Sequence, residues 1–112
     1  GGGMWISAYD QARFGLFSLR KGVWEGKQLL SPEWIRLART KTELRPTYGF
    51  MNWFLNTGRE LVPSAPESCF YHGGAGTNRI MGIPELDLVV VSRWIDGEAY
   101  SEFVNRLLFA VD

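Results

Sequence analysis

The order of hydrophobic and polar positions predicts two helices in the first third of the chain. After Ser7, apolar residues recur at helical spacing for about three turns, and a glycine following basic residues ends the pattern near Lys21-Gly22. Ser7 and Asp10 have the spacing of a capping box, so we interpret Asp10 as a cap and not as a catalytic acid. Ser31-Pro32-Glu33 favours a second helix start, and apolar spacing carries that helix to about Arg39.

The remaining two thirds of the chain predict a small antiparallel sheet and a closing helix. Residues 23–30 suit a hairpin that turns at Glu25-Gly26, and residues 48–55 are an aromatic-rich strand. Three more strands are predicted at residues 69–72, 78–83 and 88–94, with a tight turn at 84–87. A final amphipathic helix has Phe103, Leu107, Leu108 and Val111 on its apolar face. Helices, then an antiparallel sheet, then a helix is an α+β pattern.

Composition narrows the class of protein. The chain has 112 residues, and 46% of them are hydrophobic, which is enough for the core of one domain. Twelve basic residues balance twelve acidic ones without forming runs, so we expect no nucleic-acid partner. The one cysteine, Cys69, excludes an internal disulfide, and the apolar runs are too short for a membrane span. The Gly1–Gly3 opening carries no signal-peptide pattern, and it either precedes a start at Met4 or continues a longer polypeptide.

The candidate chemistry is concentrated in FYHGGAGTNRI, residues 70–80, which contains the chain's one histidine. Phe70 and His72 are expected on one face of a strand, with Cys69 and Tyr71 on the other, so Cys69 and His72 cannot converge on a metal ion. A strand that ends in Gly-Gly-Ala-Gly can present a backbone N–H to an acyl oxygen that gains charge. The alternative interpretation is a tight turn beside a structural histidine, since short motifs often occur by chance.

Four segments of the chain follow one another in the order GGGMWISAYDQARFG, QLLSPEWI, YGFMNW and HGGAGTNRIMGIPELDLVVVSRWI. Together they resemble, in the same order, segments of the serine β-lactamase and penicillin-binding-protein family, specifically its class C β-lactamase and esterase-like branch. The last piece resembles the family's third motif, which is Lys-Thr-Gly in the lactamases and commonly His-x-Gly in the esterase-like relatives. The resemblance implies that residues 1–112 are a single partial domain, the C-terminal segment of such a hydrolase.

What the resemblance implies for the site is specific. His72 corresponds to the active-site Lys or His, and the Ala75 N–H corresponds to one oxyanion-hole donor, so both are candidate catalytic groups. Gly73, Gly74 and Gly76 are candidate substrate-binding positions. Gly73 replaces the threonine of Lys-Thr-Gly, so the hydroxyl that would meet a β-lactam carboxylate is missing. No cofactor is implied, and the partner would be a small-molecule acyl substrate: an ester, an amide or a lactam.

The family's nucleophile, a serine in Ser-x-x-Lys, and its Tyr-x-Asn motif both belong upstream of these segments. The chain contains one Ser-x-x-Lys, at Ser18, but this serine lies at the end of a predicted helix instead of at its start. The negative end of a helix opposes a nucleophilic alkoxide. We therefore interpret Ser18 as an exposed helix residue and predict that the chain alone has no hydrolase activity.

Two non-enzymatic hypotheses accompany this one. A stand-alone remnant could form a homodimer through the surface that the missing part would cover, or it could bind small acids beside His72. The tryptophans are too many for one small core, so some are expected to line a cleft or such a surface: Trp5, Trp24, Trp34, Trp53 and Trp94. Arg79 either meets a substrate anion or occupies a surface strand position. Family members are often extracytoplasmic, and the sequence leaves the compartment open.

Overall fold

A computed structural model describes residues 5–51 and 53–111 of the chain. The Gly-Gly-Gly opening, Met4, Asn52 of the aromatic segment and Asp112 lie outside the described residues. The helices are α1 (Ala8–Leu19), α2 (Pro32–Ala38) and α3 (Tyr100–Val111). The strands are β1 (Val23–Trp24), β2 (Lys27–Gln28), β3 (Trp53–Leu55), β4 (Phe70–Gly74), β5 (Asn78–Ile83) and β6 (Leu88–Ser92). The predicted α+β class is confirmed.

Four strands form one antiparallel sheet in the order β3-β4-β5-β6, and β1 and β2 form a separate hairpin. The register places Trp53, His72, Ile80 and Val91 in one row across the sheet. Since side chains alternate between faces, His72 faces one layer and its neighbour Tyr71 faces the other. The predicted division of Phe70 and His72 from Tyr71 is confirmed by this register.

Helices cover both faces of the sheet. On the His72 face, α1 packs against β5 and β6, and residues from α1, α2, β3 and β4 form a core: Leu19, Ile35, Ala38, Trp53, Leu55 and Phe70. On the opposite face, the core joins the sheet to α3 and to the loop before β4: Val62, Ala65, Cys69, Tyr71, Met81, Ile83, Val90, Tyr100 and Val104. The sheet is therefore a layer between two apolar interfaces, as an α+β domain requires.

The predicted helix starts and turns are confirmed. The Ser7 and Ser31 hydroxyls accept hydrogen bonds from the Asp10 and Trp34 backbone N–H groups, so each serine caps its helix. The Ser7 hydroxyl also contacts the Asp10 carboxylate at 2.6 Å, which agrees with the cap interpretation of Asp10. The hairpin turns at Glu25-Gly26, where both residues have positive φ.

The aromatic segment at residues 48–55 departs from the prediction. It is not one strand, because the backbone reverses near Met51, which has φ +56°, and Tyr48 returns to pair with Phe54. Only Trp53–Leu55 joins the sheet, where it pairs with β4. The Phe50 N–H donates to the Ala38 carbonyl at 3.0 Å, so the first half of the segment binds the end of α2 instead. Among the described residues, no helix combines the length and apolarity needed to cross a bilayer.

Candidate functional site

His72 lies in the middle of β4 and is almost completely buried, with 4% of its surface exposed. Its imidazole lies among aromatic rings from three elements. The ring centroid is 5.0 Å from that of Phe14 on α1, 4.2 Å from Trp53 on β3 and 6.1 Å from Phe70 on its own strand. The Trp53 and Phe70 contacts are edge-on, which is a favourable geometry for aromatic pairs. The one imidazole of the chain is therefore part of a packed interior.

Ser18 makes a polar contact with this imidazole, which corrects the sequence interpretation of Ser18 as exposed. The Ser18 side chain is buried, with 2% of the residue exposed, and its Oγ lies 3.2 Å from His72 Nε2. The reason is helical spacing, since the buried positions of α1 are Gly15, Ser18 and Leu19. A Cβ on Gly15 would lie 2.5 Å from a Val89 methyl, so glycine allows α1 to approach the sheet closely enough for Ser18 to reach His72.

Burial keeps the imidazole neutral. Removal from water is the main cause that lowers the pKa of His72 from its ordinary 6.5 to about 4, and the positive charge of Arg39 lowers it further. At neutral pH the ring carries no charge, so its contact with Ser18 joins two uncharged groups. Such a ring is a weak base, because efficient proton transfer at neutral pH needs a pKa near 7.

Arg39, the residue that follows α2, supplies the positive charge of the cluster. It donates a hydrogen bond to the Ser18 carbonyl at the end of α1, where the helix dipole favours a cation. Its guanidinium carbon lies 3.9 Å from the Phe70 ring centroid and 5.0 Å from that of Trp53. Burial lowers the pKa of Arg39 to about 10, so it remains charged at neutral pH. Arg39 thus joins α2 to the end of α1 and to the sheet.

The candidate substrate-binding residues lie in a different setting from His72. Gly73 and Gly74 end β4, and residues Ala75–Thr77 form a tight turn into β5. Gly74, Ala75 and Gly76 are exposed, and the Asn78 side-chain amide donates to the Ala75 carbonyl at 2.7 Å. The structure therefore places the turn residues at the surface directly after the strand, while the His72 side chain is enclosed.

Trp94 borders this turn. Gly76 has φ +73°, and a Cβ there would lie 2.0 Å from the Trp94 ring, so the indole lies directly on the glycine backbone. Trp94 is 73% exposed and itself has φ +60°, an unusual conformation for an aromatic residue. The Thr77 hydroxyl donates to the Ile95 carbonyl and holds the two segments together. Of the five tryptophans, Trp94 therefore lies at the candidate site's surface, whereas Trp53 lies in its interior.

The other sequence candidates are accounted for by packing. Arg79 is half-buried, with its guanidinium 3.8 Å from the Tyr100 ring centroid and 4.7 Å from that of Tyr71, on the face opposite His72. Cys69 is buried, and loss of solvation raises the pKa of its thiol to about 12. Over residues 5–51 and 53–111, no three His, Cys, Asp or Glu side chains are grouped to hold a metal ion.

Sequence reasoning missed the roles of Phe14, Ser18 and Arg39 at His72. One signal was available for Ser18, since Gly15 and Ser18 are small residues one turn apart on a helix rich in larger ones. No protein-family model matches the chain, and a search of curated proteins finds no match.

Proposed function

We propose that the chain is the C-terminal part of a serine hydrolase similar to the class C β-lactamases and related esterases. In this proposal, the β4–β5 turn borders the site of acyl transfer, and the nucleophilic serine and its lysine come from outside these 112 residues. The substrate is an ester, an amide or a lactam. By itself, the chain contributes a scaffold and one wall of the site and has no hydrolase activity.

One observation carries the proposal: the His-x-Gly sequence ends a sheet strand and opens directly into an exposed glycine turn. His72 lies two residues before Gly74, and Gly74 pairs with Asn78 at the last position of the β4–β5 ladder. Backbone N–H groups at such a turn are suitable donors to a developing oxyanion, because they are fixed before the reaction begins. Ala75 is exposed at this turn, so an acyl group can approach its backbone from solvent.

The surroundings of Ser18 support the absence of activity in the isolated chain. A Ser-His contact of 3.2 Å is within the range for a nucleophile and its base, yet both side chains are more than nine-tenths buried. Ser18 also lies in the last turn of α1, where the helix dipole opposes negative charge on its oxygen. A substrate carbonyl cannot reach Ser18 Oγ without separating α1 from the sheet.

Hydrolysis of p-nitrophenyl acetate by the purified chain tests the proposed absence of activity in the isolated chain. We expect the same rate for the native chain, Ser18→Ala and His72→Gln, each equal to the rate with a denatured sample. A rate that is higher for the native chain and falls to this background in Ser18→Ala would contradict the proposal, because it would make Ser18 the nucleophile.

The claim that the nucleophilic serine and its lysine lie outside these 112 residues is tested on the natural protein. We expect its intact mass to exceed the 12.7 kDa of this chain, with a Ser-x-x-Lys at the start of a helix in the additional sequence. A natural protein of 12.7 kDa would contradict the hydrolase proposal.

A further inference from the structure

Trp94 exposes a large aromatic surface close to the β4–β5 turn. It is the second residue after the end of β6, and 73% of it is exposed. In the part of the chain that the structure describes, Trp34 and Trp53 pack against other aromatic rings, whereas the indole of Trp94 has no ring partner. The packing of this chain therefore leaves most of the indole unused.

The backbone on both sides of the indole fixes its position. The Trp94 φ of +60° is rare for an aromatic residue, because a side chain crowds the backbone in this conformation. The Thr77 hydroxyl donates to the Ile95 carbonyl, so the turn is tied to the residue that follows Trp94. The indole also lies on Gly76, since a Cβ there would be 2.0 Å from Cζ3 of the ring. Strained residues of this kind cluster at functional sites, where surrounding contacts hold them in place.

We propose that Trp94 binds an aromatic ring of the substrate and is a specificity-determining residue of the acyl-transfer site. The inference rests on the proposed function and names the substrate class: esters or amides whose acyl or leaving group carries an uncharged aromatic ring. Ala75 and Gly76 are consecutive, so their Cα atoms lie about 3.8 Å apart. A ring stacked on the indole, with centroids about 4.5–7 Å apart, can therefore be joined by a short linker to a carbonyl at the Ala75 N–H.

An anionic group fits this turn less well than an uncharged ring. By the resemblance, Gly73 takes the position of the threonine that meets a β-lactam carboxylate. A Cβ on Gly73 would lie 2.9 Å from the Phe54 ring, which is closer than side chains pack. Phe54 is itself stacked on Tyr71, with ring centroids 4.7 Å apart and planes inclined by 7°, so it has little room to move. Packing therefore excludes the hydroxyl, and the indole offers an uncharged surface beside Ala75.

Steady-state hydrolysis by the natural protein, followed by acid release, tests the proposal with two matched pairs of esters. Ethyl phenylacetate and ethyl hexanoate differ in the acyl group, and benzyl acetate and hexyl acetate differ in the leaving group. For at least one pair, we expect Trp94→Ala to lower the ratio of kcat/KM, aromatic over aliphatic, about fivefold. The loss should come from a higher KM with little change in kcat, because stacking stabilises the bound substrate and the transition state equally.

Two further variants are controls for the ester ratios. Trp94→Phe keeps an aromatic ring and should retain most of the native preference. Trp34→Ala removes a tryptophan on α2 that is 44% exposed and packs on Phe50, and it should leave both ratios unchanged. The proposal would be overturned if Trp94→Ala changed neither ratio, or if Trp34→Ala lowered them as much as Trp94→Ala.

Binding of an aromatic ring is measured separately from hydrolysis. The indole N–H resonance of Trp94 in an NMR spectrum of the natural protein is identified by its loss in Trp94→Phe. We expect phenylacetamide to shift this resonance until it saturates, and hexanamide to leave it in place. A saturable shift in a protein that hydrolyses no ester would support the aromatic site and contradict the proposed function. Ester hydrolysis without any shift by phenylacetamide would overturn the role of Trp94 and leave the proposed function standing.

Discussion

Ser18 and His72 are separated by 54 positions in the chain, yet Ser18 Oγ lies 3.2 Å from His72 Nε2 in the interior of the protein. The contact connects α1 to the sheet across an interface that is mainly apolar. Both groups are neutral at neutral pH, so the interface contains a satisfied polar pair without the cost of burying a charge. The same arrangement makes the stability of the fold sensitive to the protonation of His72.

Acidification should destabilise the protein through His72. The pKa of this group is lowered in the folded state to about 4, below its ordinary 6.5, so the unfolded state binds the proton first as the pH falls. The contribution of His72 to the free energy of unfolding is therefore fully present above pH 6.5 and is lost as the pH falls towards 4, by about 3 kcal/mol in total. Urea unfolding at a series of pH values across this window measures the slope.

His72→Gln is the matched control for this slope, since glutamine retains hydrogen-bonding groups but does not titrate. Because the chain has one histidine, the difference in slope between the native protein and this variant is assigned to a single side chain. Equal slopes in the two proteins over this window would show that His72 is not held neutral by burial.

Removing the Ser18 hydroxyl should destabilise the fold without altering the surface. Ser18→Ala leaves His72 Nε2 without this contact in a buried setting, so we expect a loss of about 1–2 kcal/mol in the free energy of unfolding. Ser101→Ala, at a half-buried position early in α3, is the control and should change stability by less than about 0.5 kcal/mol. Equal effects of the two substitutions would mean that the Ser18–His72 contact contributes nothing specific.

The turn that carries Ala75 depends on glycine for two separate reasons. Gly76 and Gly58 both have positive φ, but a Cβ on Gly58 meets open space whereas a Cβ on Gly76 meets the Trp94 ring. Gly58→Ala should therefore cost about 1 kcal/mol for the backbone conformation alone. Gly76→Ala should cost more, and the excess should disappear when Trp94 is also replaced by alanine. An excess that persists in the double variant would contradict the observed packing of Trp94 on the turn.

The elements predicted correctly from the sequence are those fixed by neighbouring residues. The Ser7 and Ser31 caps, the Glu25-Gly26 turn and the alternation of Phe70, Tyr71 and His72 depend on local backbone geometry. A pattern over a few residues therefore contains the information needed, and the α+β order follows from assembling these pieces.

The predictions that are wrong concern residues whose conformation or burial is determined by contacts with distant parts of the chain. Residues 48–55 have the composition of one strand, but the Phe50 N–H binds the Ala38 carbonyl and the segment reverses. Ser18 was expected at the surface because serine is usually exposed there, whereas its burial depends on how closely Gly15 lets α1 approach the sheet. The sequence predicts the turn that follows β4, but the enclosure of His72 by Phe14 and Trp53 and the nearby charge of Arg39 are tertiary properties.

The most direct test of the account is the site of covalent labelling by a fluorophosphonate probe, read by peptide mass spectrometry on the natural protein and on the 112-residue chain. We expect the natural protein to be labelled at a serine outside these residues and the isolated chain to stay unlabelled. Ser18 is enclosed between α1 and the sheet and should not react in either sample. Labelling of Ser18 in the folded chain, or a natural protein with no reactive serine, would contradict the account.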